Sequence, residues 1–395
     1  MAEANRELVG PAFLTALRRR GLEGDLARDV HDYLALLLDY NSARNARIRA
    51  QCIAIGGLFE AAGITAVLLK GAAWLFDDHS DAAADRIMHD IDLLLPAERL
   101  DDAAQLLTGA AYREDADFSE IGHFHLASLI PERGEAAVEL HRDVSRWPAR
   151  LRATEVIRDA CAIAPGLAMP SAAHRILHNV LHAQLENGYW LSGIVSLRDT
   201  LDLARLVEMR GQAVDWVALS EEARVRKNRA PLSGALHVAA RFLGSSVPAP
   251  FRDDRSGRQH AARCAVGERY VHVGRAFQVL DRAHRAFDWK RDAYGLEATD
   301  CQGLRLRIAV LRRWFSRLGR SRWLSLRRKE PVRWGRMVRR AGLSQLDPVP
   351  NRARLAEPAS EASCKSCSES PNDGRGRAIP HKANGAFQRK MDGEP

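Results

Sequence analysis

The spacing of apolar positions changes twice along the chain. Residues 12–62 set Leu14, Leu17 and the run 33–38 between charges, a pattern that predicts helices. Gly63 follows as a helix stop. Residues 64–69 are short, apolar and partly β-branched, which predicts a buried strand. Lys70-Gly71 breaks it, and residues 72–76 supply one apolar turn of helix. A second strand is predicted over 90–95, stopped by Pro96, and Pro96 opens a helix that runs to about Gly109. Two strand-like runs, 123–130 and 136–141, flank Pro131-Glu132-Arg133-Gly134, a hairpin signal.

After about residue 150 the period becomes helical: 171–186, 196–209, stretches from 215 to 245, and 258–290. Ser171, directly after Pro170, suits a helix cap. From about residue 347 the chain is rich in Pro, Ser, Gly, Lys and Glu with almost no apolar period, which predicts disorder. No internal repeat is visible. The expected organisation is an α/β domain with N-terminal helices over 1–150, a helical domain over 151–345, and a tail over 346–395.

Composition adds limits. A chain of 395 residues, 46% hydrophobic and 28% charged, has room for two domains and a sizeable core. No apolar run approaches the roughly 18 residues a membrane span needs, and MAEANRELVG lacks the regions of a signal peptide. A cytoplasmic location is therefore expected, with the six scattered cysteines kept as thiols. Cys364 and Cys367 form a lone CxxC in a Ser-rich stretch with no second pair, a weak zinc signal. The net charge of +9 is concentrated: residues 301–340 hold fourteen Arg or Lys against Glu330 alone, leaving the remainder at −4. Trp314, Trp323 and Trp334 interleave those cations. Such a segment suits nucleic acid, through phosphate attraction and base stacking. It also suits anionic lipid, an acidic partner, or a solvated arginine-rich face over a tryptophan core.

The candidate chemistry lies in the second strand. Asp90 and Asp92 flank Ile91 and so share one face. Two like charges about 7 Å apart on a partly covered sheet call for a positive partner, and a divalent cation such as Mg²⁺ answers that need. Without one, Asp90 would end a turn and Asp92 would be an edge-strand charge. In the later strand Val138 and Leu140 point one way, Glu139 and His141 the other. If the two strands are neighbours, three carboxylates converge. Three acids can hold two metal ions, one for an attacking hydroxyl and one for a triphosphate. The Lys70-Gly71 break lets backbone N–H groups approach a phosphate, with Lys70 or Arg86 adding charge.

The phrases "LLKGAAWLF", "RIMHDIDLLL" and "VELHRDV", in that order, resemble an uncharacterised bacterial nucleotidyltransferase family of the DNA polymerase beta superfamily. "LHNVLHAQ" and "LRDTLDLARL" resemble its helical half, with His182, Arg198 and Asp202 at the recurring polar positions. The resemblance spans roughly residues 15–245. It implies an α+β fold: a small mixed-sheet nucleotidyltransferase core with N-terminal helices, then a helical domain. It also implies a metal-dependent transfer of a nucleoside monophosphate from an NTP to a hydroxyl, releasing pyrophosphate. Asp90, Asp92 and Glu139 are then the catalytic and metal-binding acids, with Mg²⁺ or Mn²⁺. Lys70, Gly71, Arg86 and His141 are the nucleotide-side residues. One departure stands out: the superfamily usually has serine after the glycine, and Ala72 stands here. The acceptor is open among small molecule, protein and RNA. The rival expectation is an inactive nucleotidyltransferase fold that binds nucleic acid through residues 301–340.

Three further groups are singled out. Asp77, Asp78, Asp81 and Asp85 are expected to form a solvated loop. His123 and His125 share a strand face beside Glu139. His174, His178 and His182 form one helix stripe, expected to pack at the domain junction, with His182 best placed to reach the site.

Overall fold

The computed structural model describes residues 2–77, 81–115, 124–279 and 281. Its strands are β1 (Ala66–Leu68), β2 (Asp90–Leu94), β3 (Tyr112–Glu114), β4 (Leu129–Pro131), β5 (Ala137–His141), β6 (Cys161–Ala164) and β7 (Leu167–Met169). They form one mixed sheet in the order β3-β4-β5-β2-β1-β7-β6. The fold is α+β, as expected.

Alternation along the central strands sorts side chains onto two faces. Ile91 and Leu93 of β2, with Val138 and Leu140 of β5, pack with Ile48, Cys52, Ile55 and Phe59 of the long helix Arg28–Ala61. Val67 and Leu94 face the other way and join Trp74, Ile176, Leu177, Val180 and Leu203. Each fully buried Leu or Ile in these layers contributes about 1.5–3 kcal/mol. Asp90 and Asp92 lie on the Leu94 side, toward the later helices. β2 and β5 run parallel and in register, with Asp92 opposite Glu139 and Leu94 opposite His141. This is the neighbouring arrangement that the three-acid reading requires.

The expected hairpin is present: β4 pairs antiparallel with β5 at Leu129 and Val138, extended by a bridge between His125 and His141. Three strands escape the sequence pattern: β3, β6 and β7. β6 and β7 lie past the change of period at residue 150, and β7 pairs parallel with β1, Ala66 opposite Leu167. The turn between them needs Gly166, whose φ is +64°. A Cβ there would collide with the backbone of Gly56 on the long helix. The same residue ties three elements together: its N–H donates to Glu60 Oε2 at 2.7 Å, and its carbonyl accepts from Ala66 N–H at 2.9 Å.

The stretch predicted as one helix over 171–186 is α-helical over Ala172–Val180 and π-helical over Leu181–Glu186. Ser171 caps it as expected, accepting from the His174 N–H at 3.3 Å. Helices Leu197–Arg210, Trp216–Val225, Arg229–Leu243 and Arg255–Arg269 follow, the first three within predicted stretches to a residue or so. No described helix is long and apolar enough to cross a membrane. His123, the basic segment 301–340, Cys364, Cys367 and the tail lie outside the described residues.

The solvated-loop expectation for the acids between Gly71 and Asp90 is overturned. Asp77 and Asp85 are 2% and 0% exposed. Asp77 accepts from Arg175 Nη1 at 2.8 Å and Arg210 Nη2 at 2.7 Å. Asp85 takes a two-pronged contact from Arg205 at 2.8 and 2.7 Å. The later helices pack over this segment, and their inner faces carry the arginines that neutralise it. Asp81 does remain partly exposed, paired with Arg19, and Asp78 lies outside the described residues.

Candidate functional site

The site is assembled where β1 ends beside β2. Lys70 leaves β1 with φ +41°, an uncommon conformation for a residue with a Cβ. Its side chain is thereby aimed at β2, where Nζ lies 2.6 Å from Asp92 Oδ1. His141 Nε2 lies 2.9 Å from the same oxygen and 3.5 Å from Glu139 Oε2. Ser128 Oγ donates to Glu139 Oε1 at 3.3 Å. Among the described residues, one group offers metal-ligand atoms within 4.8 Å of one another: Asp92, Glu139 and His141.

The structure therefore regroups the predicted acids. Asp92 and Glu139 meet, and His141 rather than Asp90 is the third member. The alternation of Val138-Glu139-Leu140-His141 already put His141 on the Glu139 face. Asp90 lines the adjoining cavity together with Lys70.

Electrostatics follow from this arrangement. Burial opposes charge on the wholly buried Asp92, yet Lys70 and His141 hold its carboxyl well below the usual carboxylate range. Burial likewise opposes charge on His141, but hydrogen bonds to Asp92 and Glu139 raise its pKa. Lys70 is raised in the same way: Asp92, Asp90 and Glu139 outweigh its burial. Asp90 has no such direct partner among the described residues. Burial and the neighbouring charge of Asp92 push its pKa up to about 6.

A cavity of about 230 Å³ opens beside the cluster. Lys70, Gly71, Arg86 and Asp90 line one wall; His178, His182, Arg198 and Asp199 line the other. Arg86 is buried, and its Nε donates to Asp202 Oδ2 at 2.8 Å, so its charge is matched by the helical half. Its carbonyl accepts from Asn41 and Asn45 of the long helix. Gly71 has a packing reason to be glycine: a Cβ there would sit 2.5 Å from Arg86 Nη1 and 2.8 Å from Met88 Cε. The histidine stripe does reach the cavity. Burial and the charge of Lys70 lower the pKa of His178 well below its ordinary value and that of His182 to about 4. His125 places its ring 5.0 Å from that of His141. The Arg86–Asp202 link and the cavity role of Asp199 carry no local signal in the sequence, since their partners are set by tertiary packing.

The donor set fits a divalent cation. Asp92 Oδ2 is buried without a hydrogen-bond partner among the described residues, which leaves a carboxylate oxygen free for a ligand. Two carboxylates suit Mg²⁺ or Mn²⁺.

Residues 1–244 match a family model described as an uncharacterised nucleotidyltransferase. No curated protein and no solved structure matches the chain.

Proposed function

The chain belongs to a family of uncharacterised nucleotidyltransferases, and on that premise we propose that it transfers a nucleoside monophosphate from an NTP to an acceptor hydroxyl, using Mg²⁺ or Mn²⁺. The observation that carries this reading is the Oδ2 of buried Asp92, which has no hydrogen-bond partner among the described residues, set in register with Glu139 on the next strand. Asp92 and Glu139, with His141 beside them, would hold the cation. When bound, that cation neutralises phosphate oxygens and makes a hydroxyl easier to deprotonate.

The protein's own groups do the rest. The cavity beside the cluster receives the nucleotide, and Lys70 offers a positive charge at the boundary between them. Asp90 faces the cavity with its pKa pushed up to about 6, close enough to neutrality to accept the acceptor's proton. The acceptor oxygen then bonds to the α-phosphorus as the bond to the β-phosphate oxygen breaks, and pyrophosphate leaves. Alignment of these groups in a site already arranged supplies most of the rate.

The acceptor class is tested with α-labelled NTPs, Mg²⁺ or Mn²⁺, and cell extract fractionated into small molecules, protein and RNA. Label should move into one fraction with wild type and stay on the NTP with Asp92→Asn. Transfer at the wild-type rate by Asp92→Asn removes the assignment. A second reading rests on the fourteen cations and single acid of residues 301–340: a fold without chemistry that holds nucleic acid. It predicts polynucleotide binding by wild type and Asp92→Asn alike, with no label transferred by either.

A further inference from the structure

Four cations line the cavity among the described residues: Lys70, Arg86, Arg175 and Arg198. Three are matched by acids outside the Asp92 cluster. Arg86 holds Asp202, Arg175 holds Asp77, and Arg198 faces Asp199 at 3.5 Å. Lys70 alone is paired with a member of that cluster, at 2.6 Å from Asp92 Oδ1. Its side chain keeps a fifth of its surface exposed, whereas Asp92 has none.

A wholly buried carboxylate cannot stand without a positive neighbour. Before any divalent cation arrives, the ammonium of Lys70 meets that need together with His141. The backbone is bent to supply it: Lys70 holds φ +41°, although Gly71 next door would adopt such an angle freely. Gly71 is committed elsewhere, beneath Arg86 and Met88. The strained angle thus falls on the residue whose side chain must reach Asp92.

Resting on the metal-dependent reading above, we propose that Lys70 is the resident counter-cation of this site and yields Asp92 to the divalent cation, its freed ammonium then turning into the cavity to meet the triphosphate. The exchange replaces one positive charge at Asp92 by two and leaves the first charge inside the cavity. Metal loading and phosphate binding then favour each other, through a single side chain that has two places to be.

The test uses the full-length protein without nucleotide. Mn²⁺ is titrated first into wild type and Asp92→Asn by calorimetry; wild type should bind and the variant should not. Absence of Mn²⁺ binding by wild type overturns both the metal-dependent reading and this inference. With binding established, an amine-acylating reagent is applied with and without Mn²⁺, and Lys70 is read by mass spectrometry against exposed Lys227. Lys70 labelling should rise at least fivefold with Mn²⁺ while Lys227 stays constant. Labelling of Lys70 that is unchanged or lowered by Mn²⁺ overturns the exchange and leaves the metal assignment standing. Lys70→Gln gives a second readout: Mn²⁺ binding at least tenfold tighter than wild type, and binding of inorganic tripolyphosphate to the Mn²⁺-loaded protein at least tenfold weaker. Weaker Mn²⁺ binding by a folded Lys70→Gln protein also overturns the exchange.

Discussion

Asp77→Asn tests whether the acids before β2 hold the two halves of the chain together. Asp77 is buried and accepts from Arg175 at 2.8 Å and Arg210 at 2.7 Å, and the Arg175 guanidinium lies 4.6 Å from the centre of the Trp74 ring. Asparagine keeps the shape and removes the charge, leaving two guanidinium groups around one neutral amide. Removing one partner of a buried pair costs about 3–5 kcal/mol. Arg210 is a third exposed, so water relieves its share, and about 3 kcal/mol is expected. At about 2–4 °C per kcal/mol for a domain of this size, Tm should fall by about 6–12 °C in a melt followed by circular dichroism at pH 7. Adding Arg175→Met should recover part of the loss, because it removes the stranded charge. Burial alone would raise the pKa of Asp77, but the two arginines lower it overall. Its stabilising effect is therefore present above the unfolded carboxylate value of about 3.9 and is lost as pH falls through the lower folded value. The gap between wild type and variant should close in that acid range. A loss under about 1 kcal/mol at pH 7, the usual size for an exposed charge, would refute the reasoning and restore the solvated loop.

Three other outcomes are expected. Asp90 has a folded pKa raised to about 6, so the stability it gives is largest below the unfolded value of about 3.9 and is lost as pH rises through 6. Asp90→Asn in chelator should melt above wild type at pH 8 and close to it at pH 4; equal melts at both would show that Asp90 is not desolvated. Gly71→Ala places a Cβ against Arg86 and Met88, so it should lower Tm as well as nucleotide affinity. A variant with unchanged Tm would mean that Arg86 moves freely. If a third of the fourteen cations in residues 301–340 engage phosphates, polynucleotide binding should fall with salt at a log–log slope of about −3 to −4. Glutamine at Arg312, Arg313, Arg327 and Arg328 should flatten that slope, and an unchanged slope would place the contacts elsewhere.

What the sequence made legible was local. Alternation in Asp90-Ile91-Asp92 and in Val138-Glu139-Leu140-His141 correctly paired each polar side chain with its face, and Pro170-Ser171 marked a cap that the structure uses. What stayed hidden depends on partners far along the chain. Asp77 looks solvated in isolation because Arg175 and Arg210 lie 98 and 133 residues away. Arg86 looks free for phosphate because Asp202 lies 116 residues away. β6 and β7 are only four and three residues long, too short for a period of two to show, and they sit among helical stretches. The choice between Asp90 and His141 as third neighbour of Asp92 and Glu139 turns on side-chain reach across parallel strands, which spacing alone does not give.

The place of β7 in the sheet also governs the order in which the protein can be made. β1 receives β2 on one side within some twenty-five residues, Val67 opposite Leu94, but its other edge waits for Ala168, about a hundred residues later. At a synthesis rate of roughly 5–20 residues per second, that edge stays open for about 5–20 seconds on the ribosome. Ala66, Val67 and Leu68 are all buried in the finished sheet, so the waiting edge is apolar and offers unpaired backbone groups to any neighbouring strand. A fragment ending near residue 150 never leaves that state and should collect in inclusion bodies. Extending the same fragment through Met169 supplies the missing neighbour and should shift it toward the soluble fraction.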